Sequence, residues 1–238
     1  MLGRRADGEH DLLTRFQALD VHDLLLAARA DETTLEGGVA DDLVLRAHRA
    51  LERRAGRLLP VRFRLFKRIP VGAGLGGGSS DAAAALRAVS RLYDLDWDLR
   101  PIAAELGADV AFFLRGGSME GRGRGDRLLE VPPPPGWLAV AWPGFGLSTG
   151  AVYGAWDQVG GAGDNELERA ACRVEPRLER FAEDLRARDP AWRLTGSGSA
   201  FFCQTRTRGA AEQALHAIQD LHSPWTVVTR PVGPWAER

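Results

Sequence analysis

The sequence is poor in lysine and cysteine and has no long apolar run. Lys67 is the only lysine among 31 basic residues, and Cys172 and Cys203 are the only cysteines. The five histidines show no HxxxH spacing, so no structural metal site is predicted. No stretch reaches the roughly 18 apolar residues of a membrane span, and the polar residues 1–10 do not resemble a signal peptide.

The formal net charge is −1, so the charge balance does not indicate binding to nucleic acid or to an anionic membrane. Both cysteines are expected to be reduced, small apolar residues of the interior. These features predict a cytoplasmic protein whose partners are small molecules and include neither nucleic acid nor membrane. A monomer or weak homodimer is expected, although the sequence does not reveal the oligomeric state.

Apolar periodicity predicts alternating helices and strands. Residues 41–54 carry leucine and alanine at helical spacing, and residues 61–65 alternate apolar side chains with arginine. Further helices are predicted at 79–93, 100–106, 166–187 and 208–221, and further strands at 12–19, 137–142, 200–203 and 225–229.

Four consecutive prolines at 132–135 form the clearest break in the chain. Proline has no N–H to donate and cannot continue a helix or a central strand, so this run is an extended connector. The helices and strands after it predict a second α/β layer. We therefore expect an α+β protein with two domains, residues 1–134 and 135–238.

The segment from Pro70 to Ser80 is the most informative part of the sequence. Five glycines occupy the seven positions 72–78, between a predicted strand and a predicted helix. Such a backbone can approach a ligand closely, and its N–H groups point toward a helix N-terminus that favours anions. The segment therefore predicts a phosphate-binding loop.

Two common nucleotide-binding loops do not fit this segment. Gly72, Gly74 and Gly77 satisfy GxGxxG, but a dinucleotide fold needs a second parallel strand that ends in an acid about 20 residues further on. No apolar strand precedes the acids at 94–98. A Walker A loop needs Gly-Lys-Ser/Thr, whereas the single lysine precedes the glycines.

Three motifs instead resemble those of the GHMP kinases. The string PVGAGLGGGSSDAAAAL, which starts at Pro70, resembles their ATP-phosphate loop. Its triple glycine and two serines are similar to the branch that phosphorylates 4-diphosphocytidyl-2-C-methyl-D-erythritol. GADVAFFL at 107–114, with the hairpin-like residues after it, and LTGSGSAFF at 194–202 agree in order and spacing. The resemblance covers nearly the whole chain. It implies a two-domain GHMP kinase fold, with an N-terminal domain like domain 2 of ribosomal protein S5 and a ferredoxin-like C-terminal domain.

The resemblance implies transfer of the γ-phosphate of ATP to the tertiary 2-hydroxyl of 4-diphosphocytidyl-2-C-methyl-D-erythritol in the non-mevalonate isoprenoid pathway. Mg²⁺ is implied by ATP chemistry, because the phosphate charges must be neutralised. Ser79 or Ser80 could contact the ion, but no metal ligand is assigned. The predicted ATP-binding residues are Pro70, Val71, Gly72, Ala73, Gly74, Leu75, Gly76, Gly77, Gly78, Ser79 and Ser80.

Asp109 is the predicted catalytic residue. It follows two small residues, which leave room for substrate, and precedes the apolar residues 110–114. A carboxylate in such surroundings can hold and polarise a hydroxyl. The alternative is that Asp109 caps a helix or is a plain surface acid.

Three further residues are predicted to bind the substrate. The family's DGYH turn is DGEH here, so His10 could contact a cytosine edge, while Glu9 replaces a stacking aromatic. In residues 143–153 the resemblance implies that Thr149 donates a hydrogen bond and Tyr153 stacks. A solvated turn histidine and a core tyrosine are the alternatives for His10 and Tyr153.

The family is similar in using a lysine beside the catalytic aspartate, on its first strand. Lys67 precedes the phosphate loop and cannot take that role; the resemblance puts it toward the nucleotide, and an exposed lysine at a strand end is the simpler interpretation. Arg4 to Gly8 are interpreted as a turn with only three residues before it. We therefore expect that Met1 is not the natural start and that an upstream strand carries the second catalytic residue.

Two other functions remain open from the sequence. Glu9 leaves room for a GHMP kinase that acts on a different alcohol. The non-enzymatic alternative is a truncated protein that binds nucleotide without turnover.

Overall fold

The structure is a computed structural model that describes residues 3–4, 10–39 and 42–235. Its strands are β1 Gly3–Arg4, β2 His10–Gln17, β3 Leu24–Arg29, β4 Thr34–Glu36, β5 Val61–Phe66, β6 Ser118–Gly123, β7 Arg127–Glu130, β8 Trp137–Trp142, β9 Arg193–Leu194, β10 Phe201–Thr205 and β11 Trp225–Thr229. Its helices are α1 Leu43–Ala55, α2 Gly77–Leu92, α3 Arg100–Leu106, α4 Ala108–Arg115, α5 Thr149–Val159, α6 Glu168–Val174, α7 Arg177–Arg188 and α8 Arg208–His216.

The chain is organised as two compact units. Unit 1 comprises Met1–Arg68, Gly76–Pro133 and Val232–Arg238, and unit 2 comprises Ile69–Leu75 and Pro134–Pro231. The chain therefore passes from unit 2 into unit 1 within the glycine-rich loop, after Leu75. The domain ranges 1–134 and 135–238 stay a prediction.

Unit 1 contains two sheets, ordered β1-β2-β6-β7 and β3-β5-β4. Residues Val61, Phe63 and Leu65 of β5 are buried and alternate with exposed neighbours, as their sequence pattern predicts. They pack with the apolar faces of α1 and α2, which contribute Leu51 and Leu86 among others. At the start of α1 the Asp42 carboxylate accepts a hydrogen bond from Val44 N at 2.9 Å, a cap that contributes about 1 kcal/mol.

Unit 2 contains an antiparallel sheet in the order β11-β8-β10-β9. Along the chain its elements run strand, helices, strand, strand, helix, strand, which is the ferredoxin-like βαββαβ pattern. Leu178, Leu185 and Trp192 are fully buried in this unit. The α+β class is confirmed.

Several element predictions need correction. The single helix predicted at 166–187 is two helices, α6 and α7, because Pro176 lacks an N–H and holds Glu175 out of the helical region at φ −137°. The helix predicted at 208–221 ends at His216. The strand predicted at 12–19 runs from His10 to Gln17.

The predicted N-terminal turn begins one residue too early. Gly3 and Arg4 form β1 and pair with Asp11 and His10, so Arg4 belongs to a strand. On its other edge, β2 pairs with β6 from Leu12 to Gln17. The predicted turn residues 5–8, together with Glu9, lie outside the described residues, as does Met1.

Candidate active site

The glycine-rich loop leads directly into α2. Gly72, Gly74 and Gly76 have φ values of 71°, 72° and 68°, a region that side chains other than glycine rarely adopt. Helix α2 begins at Gly77, so the N–H groups of its first turn have no acceptor within the helix. These groups and the helix dipole form the kind of site that binds a phosphate.

Two other sequence motifs hold the unit 2 part of this loop. Ala200 N donates to Ala73 O at 3.0 Å, and Thr195 Oγ1 donates to Gly74 O at 3.0 Å. From the segment before α5, Leu147 N donates to Gly72 O at 2.9 Å. The loop and the LTGSGSAFF motif, distant in the sequence, are thus neighbours in unit 2.

Close packing explains why Gly74 cannot carry a side chain. A Cβ atom on Gly74 would lie 2.7 Å from Gly198 O and 2.8 Å from Gly198 N, and closer still to Thr195 O. These neighbours are backbone atoms and cannot move aside cheaply. Glycine is therefore required here by contact with the third motif as well as by its φ value.

Asn165 supports this site, and its sequence context did not indicate a role for it. Its side-chain amide donates to Leu194 O at 3.0 Å and to Gly196 O at 2.8 Å, and its carbonyl oxygen accepts from Leu167 N at 3.0 Å. It therefore fixes the LTGSGSAFF segment to the start of α6. A lone asparagine after a glycine-rich stretch gives no signal of such contacts.

Asp109 lies in the first turn of α4, and Gly107 rather than Asp109 is the N-cap residue. Its side chain is reached by solvent, yet the surrounding protein desolvates the carboxyl and raises its pKa above the ordinary aspartate value. Because Gly107 is the N-cap residue, the helix-cap alternative is wrong for Asp109; its exposed position is also that of a plain surface acid, and its catalytic role stays a prediction.

Phe113 contacts the phosphate loop from the same face of α4 that carries Asp109. The two residues are four apart on α4 and so share one face of the helix. The Phe113 ring lies against Gly76, since a Cβ atom on that glycine would be 2.7 Å from Cε2 of the ring. Asp109 is therefore on the side of α4 that faces the first residues of α2.

Helix α4 is held at its other end by α2 and by the C-terminal segment. Arg87 Nη1 donates to Phe113 O at 3.2 Å and to Leu114 O at 3.1 Å. Trp235 donates its indole N–H to Phe113 O at 3.0 Å and its backbone N–H to Arg115 O at 2.7 Å. The helix that carries Asp109 is thus anchored through its last carbonyl groups.

Lys67 is not the exposed lysine that its position suggested. Its ammonium lies 2.5 Å from Asp23 Oδ2 and 2.8 Å from Asp81 Oδ2. Burial raises the pKa of the Asp81 carboxyl to about 6, although Lys67 acts in the opposite direction. Burial alone would lower the pKa of Lys67, but its bonds to Asp23 and Asp81 raise it. Asp23 is 44 residues away in the sequence, which is why the pattern did not reveal the cluster.

Two of the predicted substrate residues begin an element, and the third lies within a helix. His10 is the first residue of β2 and is half-buried. Thr149 begins α5, and its hydroxyl lies 3.1 Å from the Ser197 hydroxyl. Half-buried Tyr153 is four residues after Thr149, so both lie on one face of α5. Their roles in binding stay predictions.

A cleft of about 930 Å³ in unit 2 contains none of the predicted site residues. Four of its charged side chains pair with each other, Arg186 with Glu168 at 2.5 and 2.8 Å and Arg193 with Asp164. We therefore assign it no part in the site.

The part of the chain that the structure describes has no group of three or more His, Cys, Asp or Glu side chains able to hold a metal ion. Ser80 donates its hydroxyl to Gly77 O at 2.8 Å, and the Asp81 carboxylate is paired with Lys67. Ser79 and Ser80 could each supply a hydroxyl ligand to a Mg²⁺ ion bound mainly by phosphate oxygens, which is how this ion is usually held beside ATP. In the same part of the chain, no helix combines the length and apolarity needed to cross a membrane.

Comparison with known proteins identifies the family. Residues 42–117 match the GHMP kinases N terminal domain. The 4-diphosphocytidyl-2-C-methyl-D-erythritol kinase of Chromohalobacter salexigens is 37% identical over 246 residues, which cover 92% of this chain and 82% of that protein. The protein of the same name from Moorella thermoacetica is 37% identical over 269 residues, covering 97% and 93%.

A solved structure agrees with these relatives. The crystal structure of a 4-(cytidine 5'-diphospho)-2C-methyl-D-erythritol kinase matches with a TM-score of 0.79 and 35% identity, covering 96% of this chain and 93% of that one. The two-domain GHMP kinase fold implied by the three motifs is thereby confirmed. The chain belongs to the 4-diphosphocytidyl-2-C-methyl-D-erythritol kinase family of the GHMP kinases.

Proposed function

We propose that this chain transfers the γ-phosphate of ATP to the 2-hydroxyl of 4-diphosphocytidyl-2-C-methyl-D-erythritol, a step toward isoprenoid precursors. The relatives named for this substrate match nearly the whole chain. The observation that carries the proposal is the position of Asp109 on the face of α4 whose Phe113 ring touches Gly76. In unit 1, the candidate base thus adjoins Gly76 and the start of α2, the part of the candidate phosphate site that belongs to this unit.

ATP phosphates are proposed to bind along residues 70–80. Positive φ angles at three glycines and the unpaired N–H groups of the first turn of α2 support this role. Mg²⁺, held mostly by the phosphate oxygens with Ser79 or Ser80 as a protein ligand, would neutralise charge that develops during transfer.

Asp109 is proposed to orient the acceptor hydroxyl and to accept its proton as the oxygen attacks the γ-phosphorus. The bond from that phosphorus to the β,γ-bridging oxygen breaks, and ADP leaves. The raised pKa of the Asp109 carboxyl supports this role, because a carboxylate with a higher pKa is a stronger base than an ordinary aspartate. Its exposure leaves the carboxyl open to a substrate.

His10, Thr149 and Tyr153 are proposed to bind the cytidine diphosphate end of the acceptor. The shared face of Thr149 and Tyr153 on α5 supports one hydrogen-bonding and one stacking contact to the same ligand. A cytoplasmic location is proposed with this function, since ATP and a cytidine diphosphate-linked alcohol are both small water-soluble molecules. A monomer or weak homodimer is proposed as well.

Acceptor specificity tests the proposal. Purified protein is incubated with ATP, Mg²⁺ and one alcohol at a time: 4-diphosphocytidyl-2-C-methyl-D-erythritol, homoserine or mevalonate. ADP release and ³¹P NMR of the product are measured. We expect kcat/KM for the cytidine substrate to exceed the others by a factor of roughly 10² or more, a difference of about 2.7 kcal/mol. A preference for another alcohol, or no phosphorylation of any, contradicts the proposal.

The role of Asp109 is tested by Asp109→Asn, which keeps the shape of the side chain but removes the base. We expect kcat to fall by roughly 10²-fold with little change in KM for ATP. Asp98→Asn is the matched control, since Asp98 is an exposed acid of the same unit that pairs with Arg100. Equal activity of the two variants would remove Asp109 from the mechanism.

A further inference from the structure

The single lysine of the chain joins the two ends of the phosphate loop. Lys67 directly follows β5, before the loop, and Asp81 is the fifth residue of α2, after it. Their side chains meet at 2.8 Å, and Asp23 completes the cluster at 2.5 Å from the ammonium. Asp23 also accepts a hydrogen bond from Arg68 N at 2.5 Å, so the first end of the loop is fixed twice.

The cluster is largely shielded from water. The side chains of Asp23, Asp81 and Lys67 are 1%, 6% and 21% exposed. Charges in such a place are weakly screened, and each needs a partner. Two carboxylates share one ammonium, so the group carries one more negative than positive charge when all three are ionised.

Asp81 brings this charge close to the proposed phosphate site. Side chains of a helix lean toward its N-terminus, and one turn of helix is about 5.4 Å long. The Asp81 carboxylate therefore lies within about a turn of the N–H groups that begin α2. An unbalanced carboxylate at this distance repels an anion bound there.

We propose that Lys67 is a positioning residue for ATP: it offsets one of the two negative charges of Asp23 and Asp81 at the base of the phosphate loop, so that the triphosphate can bind beside them. The inference rests on the proposed function, because it takes residues 70–80 to bind ATP. Composition is consistent with a specific need, since lysine occurs at this one position among 31 basic residues. A compact ammonium has three rotatable donors and can bond to both carboxylates at once.

Nucleotide titrations of the full chain test this role. Binding of adenosine, ADP and a non-hydrolysable ATP analogue is measured by calorimetry for the wild type and for Lys67→Met. We expect the variant to bind the ATP analogue at least tenfold more weakly and ADP less affected, with adenosine unchanged, because repulsion grows with phosphate charge. In Lys67→Met/Asp81→Asn, most of the lost affinity for the ATP analogue should return.

Arg64→Met is the matched control. It removes one positive charge from β5, the strand that precedes Lys67, at an exposed pair with Glu36. We expect unchanged affinity for all three ligands. Equal losses in the two variants would show an effect of net charge alone and overturn the proposal.

Asp81→Asn keeps the proposal testable if Lys67→Met does not fold. This variant retains Lys67 and removes the excess negative charge, so the ATP analogue should bind several-fold more tightly. Weaker binding overturns the proposal, and so does a Lys67→Met variant that loses adenosine and ATP-analogue affinity equally. A wild-type protein that binds none of the three nucleotides contradicts the proposed function itself.

Discussion

At the scale of single residues, Gly76 and Gly78 differ in what a side chain would meet. Gly76 has a φ of 68°, and its Cβ would lie 2.7 Å from the Phe113 ring. The glycine-rich sequence alone suggests Gly76→Val as a test of phosphate binding. A valine at this φ strains the backbone and disturbs the fold as well as the loop. Gly78 is exposed in the first turn of α2, and its Cβ would meet only Leu43 Cδ1, at 3.6 Å.

Gly78→Ala is therefore the sharper test of the phosphate loop. The methyl group narrows the approach to the first N–H groups of α2, so affinity for an ATP analogue should fall about tenfold or more. Thermal stability should stay equal or rise, since alanine favours a helix by up to about 1 kcal/mol over glycine. Gly154→Ala, in an open position on α5, is the control and should leave nucleotide affinity unchanged.

The raised pKa of Asp109 predicts a pH dependence. A base must be ionised, and kcat therefore falls as the pH drops through the pKa of the Asp109 carboxyl. Because desolvation by the surrounding protein raises that pKa, the loss should begin at a higher pH than the ordinary aspartate value of 3.8 would give. A pH profile of kcat measures it. The residual activity of Asp109→Asn should lack this acid limb, and an identical limb in the variant would assign it to another group.

At the scale of elements, the Arg87 side chain links α2 to α4. It donates to two carbonyl oxygens at the C-terminus of α4, where a cation also interacts favourably with the helix dipole. Arg87→Met should lower the free energy of unfolding by about 1–3 kcal/mol, measured by urea denaturation. Arg91→Met, one turn further along α2 at an exposed position, should cost less than about 0.5 kcal/mol. Equal losses would contradict the role of Arg87.

Elements with a clear local signal could be predicted from the sequence. The strand β5 alternates cleanly, and α3 and β11 have the predicted bounds. The strand β3 reads LLLAAR, which favours a helix by composition, and it is a strand because it pairs with β5. Helix α4 is a short apolar run, whose helical or extended state periodicity cannot decide.

The residues of the candidate site also fall into those that the sequence indicates and those that only the fold brings together. The glycine loop and Asp109 belong to continuous motifs and could be located from the sequence. Lys67, Arg87 and Asn165 act through partners 44, 26 and 29 residues away, so their contacts exist only in the folded chain. The substrate contacts of His10, Thr149 and Tyr153 stay predictions.

At the scale of the whole molecule, unit 1 depends on residues from both ends of the described chain. Val232 N donates to Ala18 O at 2.9 Å, and Trp235 makes two bonds to α4. A chain that ends at Pro231 loses these bonds and should be less stable by about 2–4 kcal/mol, at about 1 kcal/mol for each bond. Thermal unfolding measures the loss. A chain that ends at Trp235 is the control, and equal stability of the two would contradict the role of the segment.

The return of Val232–Trp235 to unit 1 also has a consequence for biosynthesis. The ribosome makes residues 134–231, nearly all of unit 2, between the two parts of unit 1 that must meet. At roughly 5–20 residues per second, this interval lasts on the order of 5–20 seconds. During it, the carbonyl groups of Phe113 and Arg115 lack the Trp235 partners that anchor α4. A nascent chain can therefore expose its glycine loop before the helix that carries Asp109 is fixed, and catalytic competence would follow only once translation has passed Trp235.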